Sequence, residues 1–444
     1  MEEREERVIA PSRIARTSQI APTQVEQTHT HQKKRTRKFC SNLFAFLFSL
    51  HLLLIFILTI ILTVHGLLNH HIRPSHWYPP LLTSSLCAVP VAFAWLVAIH
   101  RHPAKTIKAA FWLGPTLTFA ASLLLLSTDT NGGLIAAAFG IIFALAQTLY
   151  ACWVNRRRDY AAHVLALSLS ATQSAAGITQ YVVLALLAGI IYSTIWISGV
   201  GNTAGIRFSP IYVVALFVSL AWTKHVIRNV LHVSIARVAH AHFTESVAVD
   251  TRVAVRDAVT GLFGSVCLGS ALVPVTGLFR GLARAVNLCA GDVDEFMFSC
   301  AHCYMGVADR LVTYGNRWGF VHVGVHDEGI VRTSGHTWEL FARAGMVPLI
   351  DSDLTGSICF LCGVAGGALS AIAAGSWAFV VHRGYATSAA VCAFWIGYFM
   401  NRIALSWPQA CVSAYHVAYA ENPQSHRFDS TIPDRIRALQ PSQA

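Results

Sequence analysis

A polar cluster that could bind a substrate or carry protons interrupts an apolar stretch of the chain, SPIYVVALFVSLAWTKHVIRNVLHVSIARV at residues 209–238. Its polar and aromatic members are Trp222, Thr223, Lys224, His225, Arg228, Asn229 and His232. His225, Asn229 and His232 follow an i, i+4, i+7 spacing, which places them on one face of a helix. Histidine titrates near physiological pH, so His225 and His232 are candidates for proton coupling.

Two interpretations of this stretch remain open. Polar groups at membrane depth are costly, and they usually face other helices, water or a substrate path. The stretch is therefore either a helix end with interfacial anchors or one polar wall of a transport pathway. Lys224 and Arg228 lie toward its far end, where long cationic side chains can extend to the membrane interface.

Other histidines and the cysteines invite a metal interpretation. His65, His70 and His71, then His240 and His242, and then His322 and His326 loosely resemble the boxes of di-iron desaturases. The first cluster has the wrong spacing for two irons held by converging imidazoles, and it is expected on the outer side. The pairs Cys300/Cys303 and Cys359/Cys362 have zinc-like spacing within each pair, but too many residues separate the pairs for a zinc ribbon. We therefore predict packed thiols, no metal site and no cofactor.

Nucleotide-binding and hydrolytic motifs are missing from any convincing context in the sequence. The sequence therefore predicts a protein that is not an enzyme and does not hydrolyse ATP.

Aromatic residues occur in or beside the apolar stretches, where they could bind an organic cation. They are Trp196, Tyr212, Trp222, Trp318, Trp377, Tyr385, Trp395 and Tyr398. A quaternary ammonium group cannot donate a conventional hydrogen bond, so its recognition depends on the faces of aromatic rings. Packing and interfacial belts are the alternative roles for such residues.

Composition places the chain among polytopic membrane proteins. The 444 residues are 54% hydrophobic and only 12% charged, against about 25% charged residues in soluble proteins. The net charge of +11 resides largely in short loops and tails, as the positive-inside rule requires. No basic and aromatic run of the RNA-binding kind occurs, so nucleic acid is not an expected partner.

The positions of apolar segments predict an all-α membrane protein with about ten transmembrane helices. Residues 1–38 are interpreted as a disordered cytosolic tail, residues 39–420 as the ten-helix domain, and residues 421–444 as a polar cytosolic tail. Basic residues 33–38 before the first apolar segment favour a cytosolic N-terminus. An interfacial helix is expected at residues 160–176.

Glycine positions predict two further features. Between residues 300 and 345, a short helix, a break near Gly315–Gly319, a second half-helix and an amphipathic helix beginning near Ser334 are expected; transporters place such broken helices beside their substrates. Small residues recur every four positions at Gly261, Ser265 and Gly269, and again at Gly363, Gly367, Ala371 and Gly375. These two ridges predict close helix packing.

Two motifs resemble those of the choline transporter-like family, solute carrier family 44. AWTKHVIRNVLHVSIARV at Ala221–Val238 is similar to the family pattern Tyr-Trp-Thr-x-x-Val-Ile-x-Asn-Val-x-His-Val, with Lys224 and His225 in place of the usual Ser-Gln. FGSVCLGSALVP at Phe263–Pro274 is similar to the next family signature. The segment from Cys300 to Arg317, followed by FVHVGVH, resembles the family's Cys-rich and Asn-Arg region.

The resemblance implies a ten-span transporter of choline or a related organic cation, facilitated or proton-coupled, in the plasma membrane. Trp196, Trp222, Thr223, Asn229 and Asn316 are the expected substrate-binding residues, and the bilayer and a small organic cation are the expected partners. The alternative is a non-transporting membrane protein that acts in lipid organisation or trafficking. The oligomeric state remains open.

Overall fold

The computed structural model describes residues 24–68, 74–173, 175–203, 209–244, 248–290, 306–307 and 310–439. The first nine α-helices in chain order are α1 (Gln24–Leu68), α2 (Pro74–Arg101), α3 (Pro103–Leu126), α4 (Asn131–Trp153), α5 (Arg158–Ser170), α6 (Ile178–Gly201), α7 (Ser209–Phe243), α8 (Thr251–Val259) and α9 (Phe263–Ala290). They are followed by α10 (Gly319–His326), α11 (Ile330–Arg343), α12 (Val347–Asp351), α13 (Thr355–Val381), α14 (Ala386–Ala404), α15 (Ser406–Glu421) and α16 (Thr431–Leu439). The described residues contain no strand, and the predicted all-α polytopic fold is confirmed.

Eight helical units among the described residues are long and apolar enough to cross a membrane. They are α1, α2, α3, α4, α6, α7, α9 and the unit that joins α12 to α13. The helices α14 and α15 pass the same test together, bent by 45° at their junction, which allows a ninth span. Residues 291–305 lie outside the described part of the chain, and both the count of ten and the cytosolic location of the termini stay predictions.

Local sequence signals set several helix boundaries. Pro103 stands at the first position of α3, where its missing N–H is not needed. The Thr130 hydroxyl accepts a hydrogen bond from the Gly133 amide at 3.0 Å and caps α4. The Asp250 carboxylate caps α8 in the same way, through the Arg252 amide at 3.0 Å.

The helix α7 is the longest described helix after α1, with 35 residues. At about 1.5 Å per residue it measures about 52 Å, well beyond a hydrocarbon core of about 30 Å. Its C-terminal half packs against α8, α10 and α15, which together build a helical layer around that end. The helix α5, where an interfacial helix was predicted, packs against α15 as well.

The ends of the chain depart from the predicted tails. The helix α1 already begins at Gln24, within the segment predicted as disordered, while residues 1–23 lie outside the described part. The predicted polar tail after residue 421 is folded back: Ile432 on α16 is fully buried, and the Phe428 ring stacks on Phe243 of α7 at 5.9 Å. Apolar residues within that short segment provide the surface that it buries.

The broken-helix region lies where the glycines predicted it. Residues 310–314 are helical, the helix is interrupted, and α10 starts at Gly319. The Asn316 side chain holds the break, because its Oδ1 accepts from the Gly319 amide at 2.8 Å and its Nδ2 donates to the Ser334 carbonyl at 2.9 Å. The amphipathic helix α11 begins at Ile330, four residues before the predicted start.

The two small-residue ridges differ in how closely their members pack against neighbouring residues. In α13, a Cβ on Gly367 would lie 2.7 Å from the Phe394 carbonyl oxygen of α14, so the two backbones are in close contact. In the other ridge Gly269 packs tightly, since a Cβ there would lie 2.6 Å from the Phe320 ring. Gly261 precedes the start of α9, and a Cβ there would meet only the Asp257 carbonyl at 3.9 Å, so the assignment of Gly261 to the ridge with Ser265 and Gly269 was wrong.

Candidate functional site

Lys224 lies in the interior of the helix bundle. Its side chain does not extend to an interface, because the residue is only 1% exposed. The ammonium Nζ donates to the Gly189 carbonyl at 2.5 Å and to the Ser193 hydroxyl at 2.7 Å, both on α6, and lies 3.3 Å from the Met400 sulfur on α14. Glycine at position 189 matters, since a Cβ there would lie 3.2 Å from Nζ and 2.9 Å from the sulfur.

Arg228, one turn further along α7, is also buried and tied to other helices. Its guanidinium donates to Gln409 Oε1 of α15 at 2.5 Å and to Asn229 Oδ1 at 3.1 Å. The Asn229 amide in turn donates to the Ser270 hydroxyl of α9 at 2.9 Å. The expectation that Arg228 extends to the interface was therefore wrong, because amide acceptors inside the bundle hold it there.

No carboxylate among the described residues forms an ion pair with Lys224 or Arg228. Burying a charge without hydrogen bonds carries a large free-energy cost, so the carbonyl, hydroxyl and amide acceptors are required for the fold. These acceptors lie on α6, α14 and α15, and the two cations therefore connect α7 to three other helices.

Trp222 belongs to an aromatic cluster between α1, α7 and α9. Its indole Nε1 donates to the Cys267 carbonyl of α9 at 3.1 Å. Its ring meets Phe48 edge-on at 5.3 Å and lies 4.9 Å from the His51 ring, both on α1. Phe48 also packs edge-on against Phe263 at 5.8 Å, so the cluster joins the three helices.

A groove of about 560 Å³ borders this cluster. Its aromatic and hydroxyl lining consists of Phe48, Tyr181, Tyr192, Thr223 and Phe263, and the rest is aliphatic without a charged side chain. Leu184 and Ile191 of its lining are exposed, so the groove opens at the outer surface of the helix bundle. Lys224 follows Thr223 directly, but its ammonium points toward Ser193 and Met400 and does not line the groove.

The expected substrate residues are not gathered in one cavity. Thr223 lines the groove, and Trp222 packs against the lining residue Phe48. Asn229 lies further along α7 and donates a hydrogen bond to Ser270 of α9. Trp196 is fully buried elsewhere, where its indole donates to the Leu216 carbonyl at 2.7 Å. Asn316 holds the helix break described above. Substrate roles for these five residues stay predictions.

His225 and His232, the predicted proton-coupling residues, lie on opposite sides of Arg228 along α7. The His225 ring packs edge-on against Phe399 of α14 at 5.7 Å. His232 is 1% exposed, and its ring packs against Phe320 of α10 at 5.9 Å. Both rings thus contact aromatic residues in the bundle, and their role in coupling stays a prediction.

Sequence reasoning missed the partners of the buried cations and the α1 part of the aromatic cluster. Ser193, Gln409, Phe48 and His51 make these contacts. A polar residue inside an apolar segment is a signal for an interior position, and Gln409 and His51 carry that signal. Phe48 carries no such signal, because it resembles every other apolar residue of α1.

Two groups of possible metal ligands differ in character. Cys359 and Cys362 are buried within α13, and the Cys359 thiol donates to the Leu405 carbonyl at 3.7 Å; Cys300 and Cys303 lie outside the described residues. In contrast, ligand atoms of His322, His326 and Glu421 all lie within 4.8 Å of one another.

Comparison with known proteins gives a consistent assignment. Residues 138–424, more than half of the chain, match the family model described as plasma-membrane choline transporter. The chain is 27% identical to protein PNS1 of Mycosarcoma maydis over 379 residues, which cover 76% of this chain and 69% of that protein. It is 20% identical over 299 residues to PNS1 of Neurospora crassa, covering 62% of this chain and 53% of that protein.

A CTL-like protein of Dictyostelium discoideum is also 20% identical over 299 residues, covering 63% of this chain and 52% of that protein. The family match includes α7, with its cluster of buried cations, and α9, which bonds to Trp222 and Asn229. These are the helices whose motifs carried the resemblance in the sequence. The chain therefore belongs to the family of plasma-membrane choline transporters.

Proposed function

We propose that this multi-pass membrane protein transports choline or a related quaternary-ammonium compound across the plasma membrane without ATP hydrolysis. The observation that carries the proposal is the uncharged groove with aromatic walls between α1, α6, α7 and α9. Membership in the choline transporter family supports the same substrate class.

The groove has the chemistry that such a cation requires. The faces of Phe48, Tyr181, Tyr192 and Phe263 provide cation–π attraction, worth about 0.5–2 kcal/mol each according to solvation. The lining also contains the hydroxyl-bearing residues Thr223, Tyr181 and Tyr192, which are the polar residues for a substrate hydroxyl in this proposal. Because the ammonium of Lys224 points away, the groove keeps no fixed positive charge in its lining.

An inside-negative potential supplies the driving force in this proposal. Entry of one positive charge gains about 2.3 kcal/mol per 100 mV. Proton coupling through His225 or His232 is a second mode of energisation, and the dependence of uptake on the potential and on a pH gradient separates the two modes.

Reconstitution of the purified full-length chain in liposomes tests the proposal. Radiolabelled choline uptake is measured with and without an inside-negative potassium diffusion potential, and again with a pH gradient. Saturable uptake that increases with the potential is the expected result. Absence of uptake by monodisperse protein, for choline and for a panel of related amines, would favour the alternative of a non-transporting protein in lipid organisation or trafficking.

A pair of variants on α1 tests the groove itself. Phe48→Leu removes an aromatic face from the lining, while Phe46→Leu makes the same change at a 62% exposed position of the same helix. Loss of about 1–2 kcal/mol of cation–π attraction corresponds to a KM for choline about 5–30 times higher in Phe48→Leu. The proposal for this groove fails if the two variants have the same KM.

A further inference from the structure

A cluster of histidines surrounds the Glu421 carboxylate at the C-terminal end of α15. His322 on α10 lies 2.8 Å from Glu421 Oε1 through its Nε2, and His240 on α7 lies 2.8 Å from Oε2 through its Nε2. His326, one turn after His322, has its ring centroid 5.1 Å from that of His322. The cluster thus joins α7, α10 and α15 and takes no part in the groove.

Hydrogen-bonding groups lie at both nitrogens of the buried His322 ring. The Thr337 hydroxyl of α11 donates to the Thr333 carbonyl at 2.7 Å, and its oxygen lies 2.7 Å from His322 Nδ1. The other ring nitrogen, Nε2, lies 2.8 Å from a Glu421 carboxylate oxygen. The ring is therefore oriented with Nε2 beside a carboxylate oxygen, and imidazole nitrogen and carboxylate oxygen are both ligands that zinc accepts.

We propose that His322, His326 and Glu421 form a binding site for a divalent transition-metal ion of the zinc type. Ligand atoms of these three residues lie within 4.8 Å of one another. Histidines at i and i+4 on a helix present both imidazoles on one face, as known zinc-binding helices do. Two histidines and one carboxylate also form a donor set that zinc accepts with a fourth position open.

The surroundings supply the outer shell that such sites use. Histidine ligands usually donate their second ring N–H to an oxygen, and His322 makes that bond to Thr337. The second carboxylate oxygen of Glu421, Oε2, forms a hydrogen bond with His240. Zinc bonds to nitrogen and oxygen of about 2.0–2.2 Å require the 2.8 Å contact between His322 and Glu421 to widen by about 0.5 Å.

The exposure of the cluster and its number of ligands both suit a metal ion that arrives from solution. His326 and Glu421 are exposed, whereas His322 is buried. His336 on α11 is exposed too, with its ring centroid 5.1 Å from that of His322, but its ligand atoms do not belong to the group within 4.8 Å, so water would supply the fourth ligand. An ion bound there would hold the ends of α10 and α15 together, and α7 through His240.

Metal binding by the full-length protein tests this site without any transport measurement. The protein is purified in detergent through a tag that contains no histidine, stripped with a chelator, and dialysed against graded concentrations of Zn²⁺ or Mg²⁺. Bound metal per chain is measured by elemental analysis on monodisperse fractions. The expected result is one Zn²⁺ per chain, no retained Mg²⁺ because that ion prefers oxygen ligands, and a Tm that rises with Zn²⁺ concentration.

Two variants and a matched control assign the ligands. His326→Ala and Glu421→Gln should each weaken Zn²⁺ binding at least about tenfold, since even outer-shell changes cost about 10–100-fold. His163→Ala is the control, because His163 is an exposed histidine that lies 3.3 Å from Asp429 without a second imidazole. Absence of stoichiometric zinc in the wild-type protein, or wild-type affinity in either ligand variant, would overturn the proposal.

Discussion

The ammonium of Lys224 donates a hydrogen bond to the hydroxyl of Ser193, with 2.7 Å between Nζ and Oγ, deep between α7 and α6. The remaining neighbours of the ammonium are a backbone carbonyl and a thioether sulfur, and no described carboxylate neutralises it. Lys224 directly follows the groove residue Thr223, and these neutral acceptors hold its ammonium away from the groove. This arrangement makes the charge of Lys224 a structural cost to the bundle.

Replacing Lys224 by methionine should stabilise the protein. Exchange of a buried charge for an apolar side chain of similar length is often neutral or stabilising by about 1–4 kcal/mol. Ser193→Ala keeps the charge and removes an acceptor, so it should lower the free energy of unfolding by about 1–3 kcal/mol. Thermal unfolding in detergent measures both changes, and a lower Tm for Lys224→Met would contradict this account.

Gln409 should be critical because it accepts from the buried Arg228 guanidinium at 2.5 Å. Gln409→Ala leaves that cation with fewer acceptors and should destabilise the protein by about 1–3 kcal/mol. Gln409→Glu offers a carboxylate of the same length and should recover or exceed wild-type stability. If both variants lose stability equally, the Arg228 contact is not the reason for the requirement.

Trp222 should act through Phe48 rather than by direct contact with a substrate. Trp222→Phe keeps an aromatic ring against Phe48 and loses only the bond to the Cys267 carbonyl, about 1 kcal/mol of stability. Choline KM in liposomes should change little in that variant. Trp222→Ala removes the support and should raise KM, so unchanged uptake kinetics in Trp222→Ala would remove Trp222 from the site.

Gly367 should not tolerate a methyl group, because a Cβ would lie 2.7 Å from the Phe394 carbonyl oxygen. Gly367→Ala should cost about 1–3 kcal/mol through forced separation of α13 and α14. Gly277→Ala is the matched control: nothing lies within 4 Å of its Cβ position in α9. That change should stabilise by up to about 1 kcal/mol through helix propensity, and equal effects of the two substitutions would exclude close packing as the cause.

Acidification should weaken the attachment of α8 to α7. A hydrogen bond from Arg237, at 2.8 Å, holds the pKa of Asp257 below its ordinary value of 3.8. A lowered carboxyl pKa contributes stability above the unfolded-state value, and that contribution is lost as pH falls through the folded-state pKa.

Tm measured from pH 7 to pH 3 checks this dependence. Asp257→Asn should lower Tm at pH 7, and its difference from wild type should shrink as the pH falls below about 4. Asp434→Asn is the control, since it removes only an exposed pair with Arg437. A difference for Asp257→Asn that stays constant across this pH range would show that the Arg237 contact is not charge-dependent.

The sequence alone determined the all-α membrane fold, because long apolar segments can satisfy their backbone hydrogen bonds in a bilayer only as helices. The glycine interruptions located the helix break before Gly319, since backbone that lacks a side chain permits the interruption and the close packing of α10. The motifs around Trp222 and Phe263 also identified the family. These features depend on the composition and spacing of residues that are close together in the sequence, so the sequence alone predicts them.

Only the tertiary structure decided where the polar side chains point. Thr223 and Lys224 are neighbours in the chain, but they point in different directions. Thr223 lines the groove, whereas the side chain of Lys224 contacts α6 and α14. His322 and Glu421 are in contact although 99 residues separate them in the chain. Arg228 and its acceptor Gln409 are separated by 181 residues. Such partners are set by which helices pack together, and helix packing depends on long-range contacts that local periodicity does not encode.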